Sequence, residues 1–205
     1  NFNRSEQIEL PARHYRQSEM IDRTTSLITN RYTQPVASHY EYRILSESGD
    51  TLHYYDGGFE NAPSFPVTGN YQENEYHASP VVDYAFPADG VKTTYRIEHV
   101  VKEGVLGDNF TDNDTTVFLQ VFDDYFAYDD GTAENGYGLT STSSNVFLAL
   151  AFQLNEPDTL VKVQMYFNHV QGDENQNMAF RIAVWQAGAN GPGECIYSDA
   201  MLRYP

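Results

Sequence analysis

The stretch "DDYFAYDDGTAENGYGL", Asp123 to Leu139, sets five carboxylates, four Gly or Asn residues and four aromatics within 17 residues. Paired carboxylates can hydrolyse glycosides, one donating a proton while the other attacks or activates water. Adjacent Asp129 and Asp130, followed by Gly131 and Thr132, fit better a turn whose aspartates accept backbone N–H bonds. Carboxylate oxygens gathered at a turn also suit Ca²⁺, so Asp129, Asp130 and Glu134 are the candidate ligands of a structural calcium ion. The hydrogen-bonded turn ranks first, calcium second and catalysis last.

Other chemistry-bearing residues are more scattered. "GDNFTDND" gathers Asp108, Asp112, Asn113 and Asp114, hard-oxygen ligands without the EF-hand order, and reads first as a polar hairpin loop. The six histidines form no His-x-His or His-x3-His pair, and Cys195 is the sole thiol, so no zinc ligand set is visible. Glu75 and His77 would share one face of a strand and could act as an acid/base pair beside a nucleophile; a surface pair is the simpler reading. There is no Gly-x-Ser-x-Gly elbow, and "GPGECIYS" around Cys195 has no papain-like or caspase-like context. "DGGF" and "NGPG" lack the lysine and following helix of a phosphate-cradling loop. Tyr54, Tyr55, Tyr71, Tyr76, Tyr125, Tyr137, Trp185 and Tyr197 remain as a stacking platform for a glycan or peptide, with Trp185 and Tyr137 the residues chosen for ligand binding. The alternative is that such tyrosines only cover a sandwich rim.

The chain that must position these groups has 205 residues, enough for one or two cores, and 29 acidic against 12 basic side chains, for a formal charge of -17. That field repels phosphate backbones and anionic headgroups and speaks against nucleic-acid and membrane-surface roles. No apolar run approaches the ~18 residues of a membrane span, so no membrane insertion is expected. The opening "NFNRSEQIEL" lacks the charged-then-apolar order of a signal peptide, so any export signal is expected upstream. A lone cysteine excludes an internal disulfide. Sixteen Tyr and 12 Phe beside one Trp favour half-exposed strand faces.

Periodicity then orders the chain. Residues 1–30 read as the end of a preceding element plus a linker, because Pro11 and the polar run after it break the alternation of "SEQIEL". "HYEYRIL" and "TLHYYD", joined by "SESGD", predict a hairpin. "GGFENAPSFPVTGNYQENEYHASP" reads as connections around at most one short edge strand near "FPVTG". "VVDYAFP", "TTYRIEHVV" and "TTVFLQVF" predict further strands, and together these describe an antiparallel immunoglobulin-like β-sandwich over residues 31–122. After the acidic junction a second sandwich is expected over residues 123–205. Its strands are "NVFLALAFQL", buried, "TLVKVQMYFNHV" with Val161, Val163, Met165 and Phe167 on one face, and "MAFRIAVWQ" with Met178, Phe180, Ile182 and Val184 on one face. The fold class is all-β, with tandem antiparallel sandwiches.

The runs "YFAYDDGTAENGYGL", "LALAFQLNEPDTLVKVQMYFNHV" and "AFRIAVWQAGANGPGECIYS" resemble a pattern in large secreted Bacteroidota proteins, commonly exported by the type IX secretion system. In that pattern an immunoglobulin-like repeat ends in a strand, here "NDTTVFLQVFDDYF", and "AYDDGTAENGYGL" opens a jelly-roll-like sandwich. The resemblance spans Tyr40 to Tyr197 and is most specific from Tyr125 onward. It implies a non-catalytic stalk, adhesive or carrier module on the outer surface of, or secreted by, a Gram-negative bacterium. Its expected partners are other domains of a longer polypeptide and a glycan or surface protein; further jelly-roll strands and a sorting domain are expected beyond Pro205. The triplets at Asp50, Asp114 and Asp158, each Asp-Thr followed by Leu or Thr, look like the O-glycosylation acceptors of such proteins. The opening stretch then reads as a brace, with Tyr125, Phe126 and Tyr128 packing against both cores while Asp129, Asp130 and Gly131 turn the chain and Gly136 and Gly138 permit backbone conformations that other residues resist.

Overall fold

The alternation of "VASHYEYRIL" is realised as the centre of a sheet. The computed structural model describes residues 9–19, 27–64, 72–73, 84–104, 111–128, 147–166, 179–200 and 202–203. The chain divides into two units, Asn1–Thr132 and Ala133–Pro205. The fold is all-β: beyond short 3-10 turns, no helix occurs among the described residues.

The first unit holds β1 (Glu9–Pro11), β2 (Leu27–Ile28), β3 (Val36–Leu45), β4 (Thr51–Ala62), β5 (Gln72–Glu73), β6 (Thr93–Glu103) and β7 (Thr115–Asp123). Five of these form one sheet in the order β1-β7-β6-β3-β4, while β2 and β5 pair as a separate ribbon. Every pairing is antiparallel except that of β1, which runs parallel to β7 with Leu10 opposite Phe122. The predicted β3–β4 hairpin closes through Ser46 and Asp50, and Gly49 takes φ +91°, a left-handed conformation that favours glycine.

Period-2 alternation decides which face is inside. Tyr40, Tyr42 and Ile44 of β3, Tyr95 and Ile97 of β6 and Phe122 of β7 point into a core completed by Leu10, Ala12, Tyr15 and Phe86. The large apolar side chains among them, such as Ile44, Phe86 and Phe122, contribute roughly 1.5–3 kcal/mol each on full burial. The core is mainly aromatic, and its rings meet edge-on or tilted, as Phe86 does against Tyr95 at 4.7 Å and Tyr15 against Phe122 at 5.0 Å.

Three sequence expectations need correction in this unit. Within the stretch read as preceding element and linker, Leu10, Ala12, His14 and Tyr15 are buried. Two 3-10 turns, Ala12–His14 and Gln17–Glu19, bring them there without the periodicity of a strand or an α-helix. β4 continues through "GGFENA" rather than ending at Asp56, because a register shift opposite Tyr40/Glu41 absorbs the glycines and Gly58 adopts φ +71°. Residues 84–87 of "VVDYAFP" are not in a strand, and Phe86 plugs the core from a loop.

The second unit contains β8 (Ala179–Phe180), β9 (Ala183–Gly188), β10 (Gly191–Ser198) and β11 (Leu202–Arg203), paired as two antiparallel ribbons, β9 with β10 and β8 with β11. "MAFRIAVWQ" therefore supplies two short strands instead of one. "NVFLALAFQL" and "TLVKVQMYFNHV" were expected as strands, the first of them buried, but their described parts, residues 147–154 and 159–166, contain no strand. Their large apolar side chains, among them Leu148, Leu150, Phe152, Leu160, Val161 and Met165, are exposed. Alternation specifies which side chains share a face; it supplies no neighbouring backbone to pair with.

Candidate functional site

Most of the residues chosen from sequence for chemistry lie outside the described residues: Asp129, Asp130, Glu134, Tyr137, Glu75 and His77. Among the described residues no group of three His, Cys, Asp or Glu side chains is placed to hold a metal ion. Asp112 lies in the 3-10 turn Thr111–Asn113, and the Asp114 carbonyl accepts the Val101 N–H, tying that loop to β6. At the start of the acidic stretch, Asp123 and Asp124 both meet the Lys92 ammonium, at 2.6 and 2.7 Å. Those bonds hold the Asp124 carboxyl below the usual carboxylate range and push the lysine upward. Phe126 packs against the first unit's core and lies 5.2 Å from the His14 ring, whereas Tyr125 is exposed.

Trp185 sits on β9 opposite Cys195 of β10, half-buried, with the Phe147 ring edge-on at 6.1 Å. Of the other candidate platform residues, Tyr54 and Tyr197 are exposed, but Tyr55 packs onto the core and has little ring face to offer. Cys195 is exposed and its thiol donates to the Tyr197 carbonyl at 3.2 Å.

The most developed polar arrangement was not singled out from sequence. β3 sends His39, Glu41 and Arg43 to the face opposite the aromatic core, and β6 sends Arg96, Glu98 and Lys102 to the same face. Glu98 receives Arg43 at 2.8 Å and Arg96 at 2.7 Å. Glu41 receives Lys102 at 2.9 Å and faces His39 Nδ1 at 3.4 Å, while His39 Nε2 meets Asp56 of β4 at 2.7 Å. The two glutamates are nearly dehydrated, with side chains 11% and 9% exposed, so each depends on its cations. Asp56 also accepts the Gly58 N–H at 2.8 Å. That bond and the one from His39 hold its carboxyl below the usual range. Beside them the Tyr54 hydroxyl is raised, by lost hydration and then by the Glu41 and Asp56 charges. The signal was present as His39-x-Glu41-x-Arg43 and Arg96-x-Glu98, but it becomes an ion-pair ladder only once the β3–β6 register places Arg43 opposite Glu98.

On the core side, the Tyr40 hydroxyl lies 2.7 Å from His99 Nδ1. Burial, then Tyr42 and Tyr55, raise the Tyr40 hydroxyl far above the usual tyrosine range, so it keeps its proton. Chemically these charges and hydroxyls bind one another and hold β3, β4 and β6 in register. Among the described residues no helix is long and apolar enough to cross a membrane, which leaves β-barrels unaddressed. Comparison of the chain with protein-family models, with curated proteins and with solved structures gave no match.

Proposed function

We propose that the chain is a non-catalytic structural or adhesive β-sandwich segment of a secreted or cell-surface bacterial multidomain protein. The observation that supports this reading is the run of exposed apolar side chains in the second unit: Leu148, Leu150, Phe152 and Leu154, then Val161, Val163 and Met165, with Phe147, Leu160 and Tyr166 exposed beside them. Exposed apolar surface of this kind marks a contact face. An immunoglobulin-like first unit and a jelly-roll-like second unit, with calcium at Asp129, Asp130 and Glu134, belong to the same proposal.

The second reading, a carbohydrate-binding accessory module of a secreted glycoside hydrolase or protease, rests on Trp185, a half-buried indole on a hairpin strand beside Phe147. A glycan array probed with the purified chain, together with a panel of glycoside and peptide substrates, separates the two. No saturable binding and no turnover is the expected result. Saturable glycan binding abolished by Trp185→Ala would transfer the assignment to the binding module.

A further inference from the structure

His39 is the one side chain of the charged ladder whose two functional atoms both face carboxylates. Its Nε2 meets Asp56 Oδ1 at 2.7 Å and its Nδ1 faces Glu41 Oε1 at 3.4 Å. A neutral imidazole carries one N–H and one lone pair, so it can donate to only one of these oxygens and turns its lone pair toward the other. The imidazolium presents an N–H to each, hydrogen-bonding Asp56 and making a charge contact with Glu41. We propose that His39 is a proton-dependent clamp that fastens the edge strand β4 to the body of the sheet.

The charges around the ring agree with that assignment. Asp56 faces it from β4, Glu41 from its own strand, and Lys102 of β6 meets the same Glu41 oxygen at 2.9 Å. Two carboxylates against one ammonium leave one negative charge uncompensated until the imidazole takes a proton. The Phe59 ring of β4 lies 4.7 Å from the His39 ring at an interplanar angle of 33°, where an aromatic face also favours a cation. Gly104 allows this placement: a Cβ there would lie 2.9 Å from the Phe59 ring. The position matters because, among the described residues, β4 pairs with β3 alone, at the end of the sheet. Asp56 is held at the glycine bulge of β4, its Oδ1 shared between His39 and the Gly58 N–H. The clamp therefore grips β4 where its ladder is irregular.

The sign follows from the donor count. The clamp is engaged while His39 carries its proton and released when the ring is neutral; histidines in general change charge between about pH 5 and 8, the range to be scanned. The test is thermal unfolding of the full chain across that range for the wild type, His39→Gln and Asp56→Asn, with ring NMR of His39 alongside. Glutamine keeps a single donor group, its amide NH2, and cannot be charged, and the other histidines cancel in the difference between curves. The expected result is a wild-type advantage over His39→Gln that shrinks by about 3 °C or more from acidic to alkaline pH, with both ring nitrogens protonated at the acidic end. Asp56→Asn, which leaves the ring a single carboxylate, should show the same loss of the acid-side advantage, a readout that survives if His39→Gln does not fold. A pH-independent gap between wild type and His39→Gln, or a His39 ring already neutral at the acidic end, would overturn the clamp.

Discussion

Replacing Tyr40 by Phe removes one oxygen from the centre of the sheet and leaves its ring in place. Tyr40 is fully buried and His99 is 2% exposed, with 2.7 Å between the hydroxyl and Nδ1. The buried hydroxyl keeps its proton and donates to Nδ1 in the tautomer whose imidazole proton resides on Nε2, the arrangement the following variants test. Water reaches neither partner, so deleting the donor costs the desolvation of the acceptor, roughly 1–3 kcal/mol and most simply about 2. For a unit of this size that is a fall in Tm of about 6–10 °C. Urea unfolding should show a lower midpoint at an unchanged m-value, since the buried area is the same. Adding His99→Leu should cost less than the sum of the two single changes, because removing both partners leaves no bond between them to break. The pH arm has its own sign. A hydroxyl raised in the folded state contributes stability that is complete below the unfolded tyrosine range, near pH ~10, and is lost as the chain is taken above it. Wild type should therefore lose stability faster than Tyr40→Phe in strong alkali. A Tyr40→Phe midpoint within about 0.5 kcal/mol of wild type, or strict additivity with His99→Leu, would refute the argument.

Two further outcomes follow from the glycine geometry and from the acidic stretch. A Cβ at Gly57 would sit 2.7 Å from the Tyr40 ring and 3.1 Å from its carbonyl oxygen, so Gly57→Ala should cost about 1–3 kcal/mol by displacing that ring. Gly58→Ala meets nothing within 4 Å and should cost only the roughly 1 kcal/mol of its left-handed backbone; equal urea midpoints for the two would contradict the steric account. For Asp129, Asp130 and Glu134, thermal unfolding in EDTA and in millimolar Ca²⁺ decides between ion and turn. The calcium reading requires a rise of several degrees that Asp129→Asn with Asp130→Asn abolishes; an unchanged Tm leaves a hydrogen-bonded turn.

What the sequence could disclose depended on whether one face of each element is buried. β3 and β6 were legible because the alternation of "HYEYRIL" and "TTYRIEHVV" reports a real division between core and ladder. β4 was cut short because Gly57 and Gly58 look like a break, whereas here they pass a bulge and the strand resumes to Ala62. Tyr15, His14 and Phe86 were passed over as core residues because loops and single 3-10 turns bury side chains without any period. The apolar runs after the junction show the opposite failure, with a strand pattern in residues 147–166 and no strand there. The ladder of His39, Glu41, Asp56, Arg43, Glu98, Arg96 and Lys102 needed register, which no single strand contains.

That ladder also bears on how so acidic a chain keeps a sheet together. On this face Glu98 is met by Arg43 and Arg96, Glu41 by Lys102 and Asp56 by His39, so three carboxylates face three permanent cations in all, and a protonated His39 adds one positive charge. The net charge of -17 therefore resides outside the ladder. Mutual repulsion then acts on the rest of the chain, where solvent and salt screen exposed charges, and least on the two nearly dehydrated glutamates, where an unpaired charge would cost several kcal/mol. Salt should accordingly change the chain's self-repulsion and association more than it changes the cohesion of the five-stranded sheet, whose ion pairs are short and whose two glutamates, though not their cations, are largely shielded from water.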